Sequence, residues 1–323
     1  MQKATRHHDG IHIVDSHFGR PGLAAIYIVL HHGRAAIIDT GNNAAVPHVL
    51  AALNTLGVEP EAVDWVILTH IHLDHAGGAG RLLRVLPNAK LIVHPRGVRH
   101  MINPERLWNS TAAIYGKSRA FALYGHINPI CDERILAADD TMQIALEDRA
   151  LTIFHTPGHA NHHISIWDEW TRSFFTGDTF GLSYRELDTD GRSFVYPTTT
   201  PPEFDPDALH RSIDLLLSKF PEVVYVSHFG RVTDVERLAA DLHRLIDSQV
   251  AVACAAHGEG EARQNEILAG LEQIVREENA RQGWLLPEGN ILALLHEDLL
   301  MNAKGLNIWL DRQLQALPLV ASV

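Results

Sequence analysis

A chain of 323 residues, 46% hydrophobic and 20% charged, has the composition of a folded globular protein long enough for one large or two modest domains, which excludes disordered, collagen-like and coiled-coil classes. Its 27 basic against 39 acidic residues leave a net charge of −12 with no Lys/Arg block, so nucleic acid is not an expected partner. The longest unbroken apolar run, residues 23–30, falls far short of the roughly 18–20 residues that span a bilayer, so no membrane association is expected either.

Residues 1–6 lead into His7-His8-Asp9-Gly10 rather than an apolar core, and a cytoplasmic location is the expectation. Cys131 and Cys254 stand far apart and outside any Cys-x-x-Cys spacing, so they are read as buried small hydrophobes. The unusual feature is 22 histidines beside only 5 lysines, and imidazole is a frequent transition-metal ligand.

In chain order, short apolar or β-branched runs bounded by Gly, Pro, Asp or Asn predict strands at 11–14, 25–31, 35–39, 65–69, 91–94, 151–155, 163–167, 173–176 and 223–227. Val49, Leu50, Leu53 and Leu56 share one helical face, as do Leu209, Ile213, Leu216, Leu217 and Phe220. The second of these helices opens with Asp205 as N-cap and Pro206 in its first turn. Two aromatic-rich stretches, 96–128 and 181–204, read as long loops, either substrate-pocket walls or packed excursions. From residue 234 onward four amphipathic segments and no strand are expected, with breaks at 283–287 and 303–305. The division expected is therefore 1–232 and 233–323. The helical tail either completes the core or offers apolar surface for a homodimer or a pocket roof.

Four metal-competent side chains fall within six residues directly after a predicted strand: His70, His72, Asp74 and His75, followed by Ala76-Gly77-Gly78. Burying so many polar groups is costly without a partner, and a transition metal satisfies several at once. On an extended chain His70 and His72 point the same way, while Asp74 and His75 sit where the chain turns into a helix. Thr156-Pro157-Gly158-His159, Thr176-Gly177-Asp178 and Val226-Ser227-His228 each end a predicted strand with a further His or Asp.

This ordered set, with Ile37-Ile38-Asp39-Thr40-Gly41 before it, resembles the metallo-β-lactamase superfamily over residues 10–230. The resemblance implies an α/β fold, a four-layer αββα sandwich, here with a C-terminal helical extension. It implies two divalent metal ions, zinc first and iron or manganese as alternatives: His70, His72 and His159 on one, Asp74, His75 and His228 on the other, with Asp178 bridging and Asp39 orienting a ligand imidazole. Asp74 and Asp178 are then the catalytic carboxylates. The expected activity is hydrolysis of a small ester-like molecule, a lactone or thioester, by a metal-bridging hydroxide. The alternatives are an iron-dependent oxidoreductase of the persulfide dioxygenase type and a phosphodiesterase. The aspartate at 178 departs from the Cys or Ser of the true β-lactamases. His72 departs from the Glu of the flavin-linked di-iron reductases. His163 resembles a supporting histidine of that family, while Tyr184 and Arg185 read as an exposed loop pair or as oxyanion donors.

Overall fold

The computed structural model describes residues 5–316, with side chains over 9–315; the reading of the first four residues as lacking an apolar core lies outside the described residues. The first sheet holds β1 (Thr5–His7), β2 (Ile11–Asp15), β3 (Ala25–His31), β4 (Arg34–Ile38), β5 (Val63–Ile67), β6 (Lys90–Val93) and β7 (Ile135–Ala137), side by side in that order. It is antiparallel from β1 to β4 and parallel from β4 to β7. The second holds β8 (Gln143–Leu146), β9 (Arg149–His155), β10 (Ile164–Asp168), β11 (Ser173–Leu182), β12 (Val223–His228) and β13 (Gly230–Val232). Within it β11 and β12 are the parallel pair.

Alternation along each strand separates three apolar layers. Tyr27 and Val29 of β3 face Ile153, Ile166 and Phe175 of the opposite sheet in the central layer, whereas Ile26 and Ile28 face the helices outside. A strand buried on both faces reads as a continuous apolar run, which is why β3 was legible as residues 25–31. Helix α1 (Val46–Leu56) lays Val49 and Leu53 on the first sheet. Beyond it come α2 (Leu73–Ala76), α3 (Ala79–Leu83), α4 (Pro95–Ile102), α5 (Glu105–Tyr115) and α6 (Lys117–Tyr124). On the second sheet, α7 (Pro206–Leu217) starts as expected, with the Asp205 carboxylate accepting from Ala208 N at 2.9 Å. Three long helices follow: α8 (Val235–Ala255), α9 (Gly260–Gln282) and α10 (Glu288–Ala316). Leu242, Leu271, Leu295 and Leu299 from these helices join Phe174, Val224 and Val226 in one cluster. The result is the αββα sandwich, with the helices after residue 234 thickening its second outer layer.

Several local expectations are corrected. Residues 96–128 are not a loop but contain α4, α5 and α6. The tail forms three helices rather than four segments, since α10 runs unbroken through Ala303-Lys304-Gly305. A Cβ on Gly305 would lie 1.9 Å from Thr199 O, so that glycine serves a close approach and does not end a helix. Cys131 and Cys254 are exposed; Cys254 stands one residue past Ala253, the last buried position of α8. Strands β1, β7, β8 and β13 were not anticipated. Three of the four are only three residues long, too short to show a period.

Candidate metal centre

Parallel pairing brings the C-terminal ends of β4 and β5 in the first sheet, and of β11 and β12 in the second, to one edge of the sandwich. Backbone bonds lock the edge: Asp39 N donates to Ile67 O at 2.8 Å and Ile164 N to Thr69 O at 2.7 Å. The chain leaves β5 extended, so His70 and His72 turn inward, and α2 then presents Asp74 and His75. His72 is the residue before α2, and its side chain makes no capping bond, which leaves the ring free. The pairing of β11 with β12 shifts register between Phe175 and Gly177, a bulge that re-aims Asp178. Gly177 has φ +51°, and a Cβ there would fall 2.5 Å from His163 Nε2 and 2.7 Å from Thr69 Cβ. No other residue fits that position.

The seven side chains meet. His70 Nε2 and His159 Nε2 each lie 3.0 Å from His72 Nδ1. On the other side His228 Nε2 is 3.3 Å from His75 Nε2. Asp74 Oδ2 lies 3.3 Å from His75 Nε2 and 3.4 Å from His228 Nε2. Asp178 spans the two groups, with Oδ1 3.5 Å from His75 Nε2 and Oδ2 3.5 Å from His159 Nε2. Asp178 Oδ1 is buried without a hydrogen-bond partner, a costly state for a carboxylate oxygen.

The outward ring atoms explain why these nitrogens point inward. Assigned from the network, His75 Nδ1 donates to Asp39 Oδ2 (3.1 Å), His159 Nδ1 to Thr198 O (3.2 Å) and His228 Nδ1 to Leu23 O (3.0 Å). His70 Nδ1 donates to Thr69 Oγ1 at 3.1 Å, and that hydroxyl donates to Asp39. Each of these four rings thereby turns its Nε2 toward its neighbours. Imidazole nitrogens gathered at 3.0–3.3 Å around two carboxylates are a donor set that fits divalent transition ions. The set is nitrogen and carboxylate oxygen with no thiolate, which suits zinc, iron and manganese alike.

Electrostatics divides the seven in the same way. Burial, reinforced by neighbouring imidazoles, holds His70 and His72 well below the usual histidine range, and burial lowers His159 too. Burial opposes charge on His75 as well, but Asp74, Asp178 and Asp39 outweigh it and hold the ring well above the usual range. His228 is raised in the same manner by Asp178 and Asp74. For Asp74, burial is outweighed by His75 and His228, and its carboxyl is held well below the usual value.

Behind this group His163 Nε2 accepts from Asp178 N at 3.1 Å, while its Nδ1 lies 2.9 Å from Thr156 Oγ1. It therefore positions the backbone of Asp178. His94 and His155 lie tilted against each other with centroids 4.3 Å apart, and His162 stacks over His70 at 6.3 Å. Tyr184 and Arg185 are not an exposed loop pair. Tyr184 is fully buried, donates to Asp298 Oδ2 at 2.9 Å and lies under the Arg20 guanidinium at 4.7 Å. Arg185 donates to Ser183 O and Arg231 O.

Sequence reasoning missed several contributors. Thr198 holds both His159 and Asp178 O, Ser227 donates to Asp39 at 2.8 Å, and α10 supplies Asp298, whose carboxyl burial pushes up to about 6 in the field of His228 and Asp178. No pattern marked them, because each acts across more than 15 residues of chain. The aromatic side chains of 96–128 do reach this edge. Burial and the charge of Asp74 push the Tyr115 hydroxyl up to about 12. Tyr124 joins Tyr115 at 6.0 Å and stacks on Phe18 at 5.5 Å.

Among known proteins, residues 19–228 match the family model described as the metallo-beta-lactamase superfamily. The metallo-beta-lactamase fold-containing protein ST1585 of Sulfurisphaera tokodaii is 27% identical over 218 residues, 66% of this chain and 75% of that protein. The acyl-coenzyme A thioesterase MBLAC2 of Gallus gallus is 28% identical over 181 residues, 52% of this chain and 62% of that protein. Among solved structures, the metallo-beta-lactamase family protein TTHA1429 of Thermus thermophilus superposes with a TM-score of 0.65 at 19% identity, covering 94% of each chain, a likeness of fold alone.

Proposed function

The chain belongs to the metallo-β-lactamase superfamily, and from that membership and its own geometry we propose that it is a dinuclear metal-dependent hydrolase of small ester-like molecules, a thioester or lactone. The observation that carries this reading is Asp178: a buried carboxylate with one oxygen toward His75 and the other toward His159, and with Oδ1 unpartnered. His70, His72 and His159 would hold one ion, Asp74, His75 and His228 the other, and Asp178 would touch both. Two such ions supply Lewis acidity toward a carbonyl oxygen and activate water as a nucleophile at neutral pH.

The protein's own side chains do the rest. Asp39, Thr69, Thr198 and Leu23 O fix the four ring orientations, so little reorganisation accompanies reaction. Asp74 is the most exposed of the carboxylates here, with 20% of its side chain open against 6% for Asp178. Its Oδ1, the oxygen that its histidine contacts leave free, can accept a hydrogen bond and so orient a reacting group. Phe18, Tyr115 and Tyr124 form an aromatic wall on the Asp74 side, suited to an acyl or ring portion of substrate. The acyl-coenzyme A thioesterase relative supports the thioester choice.

The test is elemental analysis of the purified protein, followed by a panel of lactones, thioesters and phosphodiesters scored by proton release. Zinc or manganese with lactone or thioester turnover is expected, and Asp178→Asn is expected to cut kcat at least 100-fold while leaving the circular dichroism spectrum unchanged. Iron accompanied by oxygen consumption, or full turnover in Asp178→Asn, overturns the reading.

A further inference from the structure

Three hairpin turns meet at the end of the sandwich opposite that cage. The β3–β4 turn comes from the first sheet; the β8–β9 and β10–β11 turns come from the second. Strands β4, β9 and β11 each run from these turns toward the residues of the metal centre. In the β3–β4 turn His31 pairs with Arg34, which leaves His32-Gly33 as a two-residue loop with φ +47° and +80°. Positive φ at both positions favours Asn-Gly, Asp-Gly or Gly-Gly; an imidazole at the first is locally unfavourable. Its consequence is geometric. Successive strand residues point to opposite faces, but here the rings of His31 and His32 lie on one side with centroids 4.3 Å apart.

Asp148, from the equally tight β8–β9 turn, reaches both: its Oδ1 is 2.6 Å from His31 Nε2 and 3.9 Å from His32 Nε2. The three donor atoms all lie within 4.8 Å of one another. The turn that carries Asp148 is rigid. Arg149, the next residue, is fully buried, bonded to Asp168 at 3.1 Å and to Asp9 O at 2.7 Å. Trp170 of the β10–β11 turn closes over His31 at 5.0 Å. His32 and Asp148 remain 65% and 67% exposed, leaving room for water in the other coordination positions.

We propose that His31, His32 and Asp148 form a second, external site for one borderline transition-metal dication, zinc, nickel or copper, which fastens the two sheets at the end remote from the cage. Two imidazoles and one carboxylate select such ions over calcium or magnesium, which take all-oxygen sets. A plain hydrogen bond from His31 to Asp148 already ties the turns, but it needs one ring and gives no reason for the second at an unfavourable φ. Donors carried on two-residue turns of packed sheets also need little reorganisation to bind.

The experiment counts zinc per full-length chain after equilibrium dialysis, comparing wild type with His32→Asn. Asn is the residue such a turn prefers, so this variant keeps the fold, and thermal melts of the ion-free proteins confirm it. His32→Asn and Asp148→Asn are each expected to retain one equivalent fewer than wild type, whatever the cage holds. Copper(II) is expected to quench tryptophan fluorescence through Trp170, an effect lost in Trp170→Phe and weakened in His32→Asn. Equal zinc content in wild type and His32→Asn, or quenching unchanged in both fluorescence variants, overturns the site.

Discussion

His94 shows how one ring's neutrality can be structural. Its Nδ1 accepts from Arg96 N at 3.1 Å and so caps α4, a role that requires the lone pair. Burial, with His155 and His162 beside it, lowers its pKa to about 4. In the unfolded chain the ring takes a proton below about 6.5, whereas the folded chain refuses it until about 4. Stability is therefore lost as pH falls from about 6.5 toward 4, a cost of about 2 kcal/mol at pH 5. Asn caps as well and does not titrate. Urea midpoints at pH 7 and pH 5 should separate more in wild type than in His94→Asn; equal separations would show that this ring is not felt. The same distinction governs what could be read in advance. His70, His72, Asp74 and His75 announce themselves by local density, whereas Thr198 and Asp298 carry no signal, because their roles exist only once distant segments are brought together.

Elements that pack on one side were the hardest to read. Helix α5 buries only Ala112, and α6 only Ala120 and Tyr124, so neither shows an apolar stripe, and Gly116 between them resembles a loop signal. Helix α10 presents the opposite case: Gly305 looks like a breaker in sequence and is a contact in three dimensions. Asn302, one turn earlier, accepts from Thr199 N at 2.9 Å and donates to Pro197 O at 2.8 Å, so α10 clamps the segment whose Thr198 orients His159. A methyl group at Gly305 must displace backbone that has no slack. Gly305→Ala is expected to destabilise by about 1–3 kcal/mol and to weaken retention of the ion that His159 would hold. Gly289→Ala, where a Cβ meets nothing within 4 Å, is expected to be neutral or to stabilise by up to about 1 kcal/mol. Chemical denaturation with metal analysis of both variants checks the pair, and similar losses in the two would mean that helix propensity, not the clamp, was measured.

At the scale of the molecule, the two-sheet architecture concentrates opposed charges at one edge, and this makes stability depend jointly on pH and on bound ions. Rings with lowered pKa, His70, His72, His159 and His163, resist protonation in the folded chain more than in the unfolded one. They cost stability as pH falls below about 6.5. His75 and His228 are raised and act in the other direction. Their contribution is fully present below about 6.5 and disappears as pH rises through their folded values. Ion-free protein should therefore show a maximum in Tm near neutrality with losses on both sides. Divalent ions bound there would replace the protons of His75 and His228, so loading at pH 7 should release protons into weakly buffered solution and flatten the alkaline side of the profile. Each ion that binds only the folded chain, at a hundred times its Kd, adds about 2.7 kcal/mol. Calorimetric melts from pH 5 to pH 9, with and without zinc, test this directly. A monotonic ion-free profile, or zinc binding without proton release, would mean that the carboxylates Asp74 and Asp178 do not hold protons on these rings.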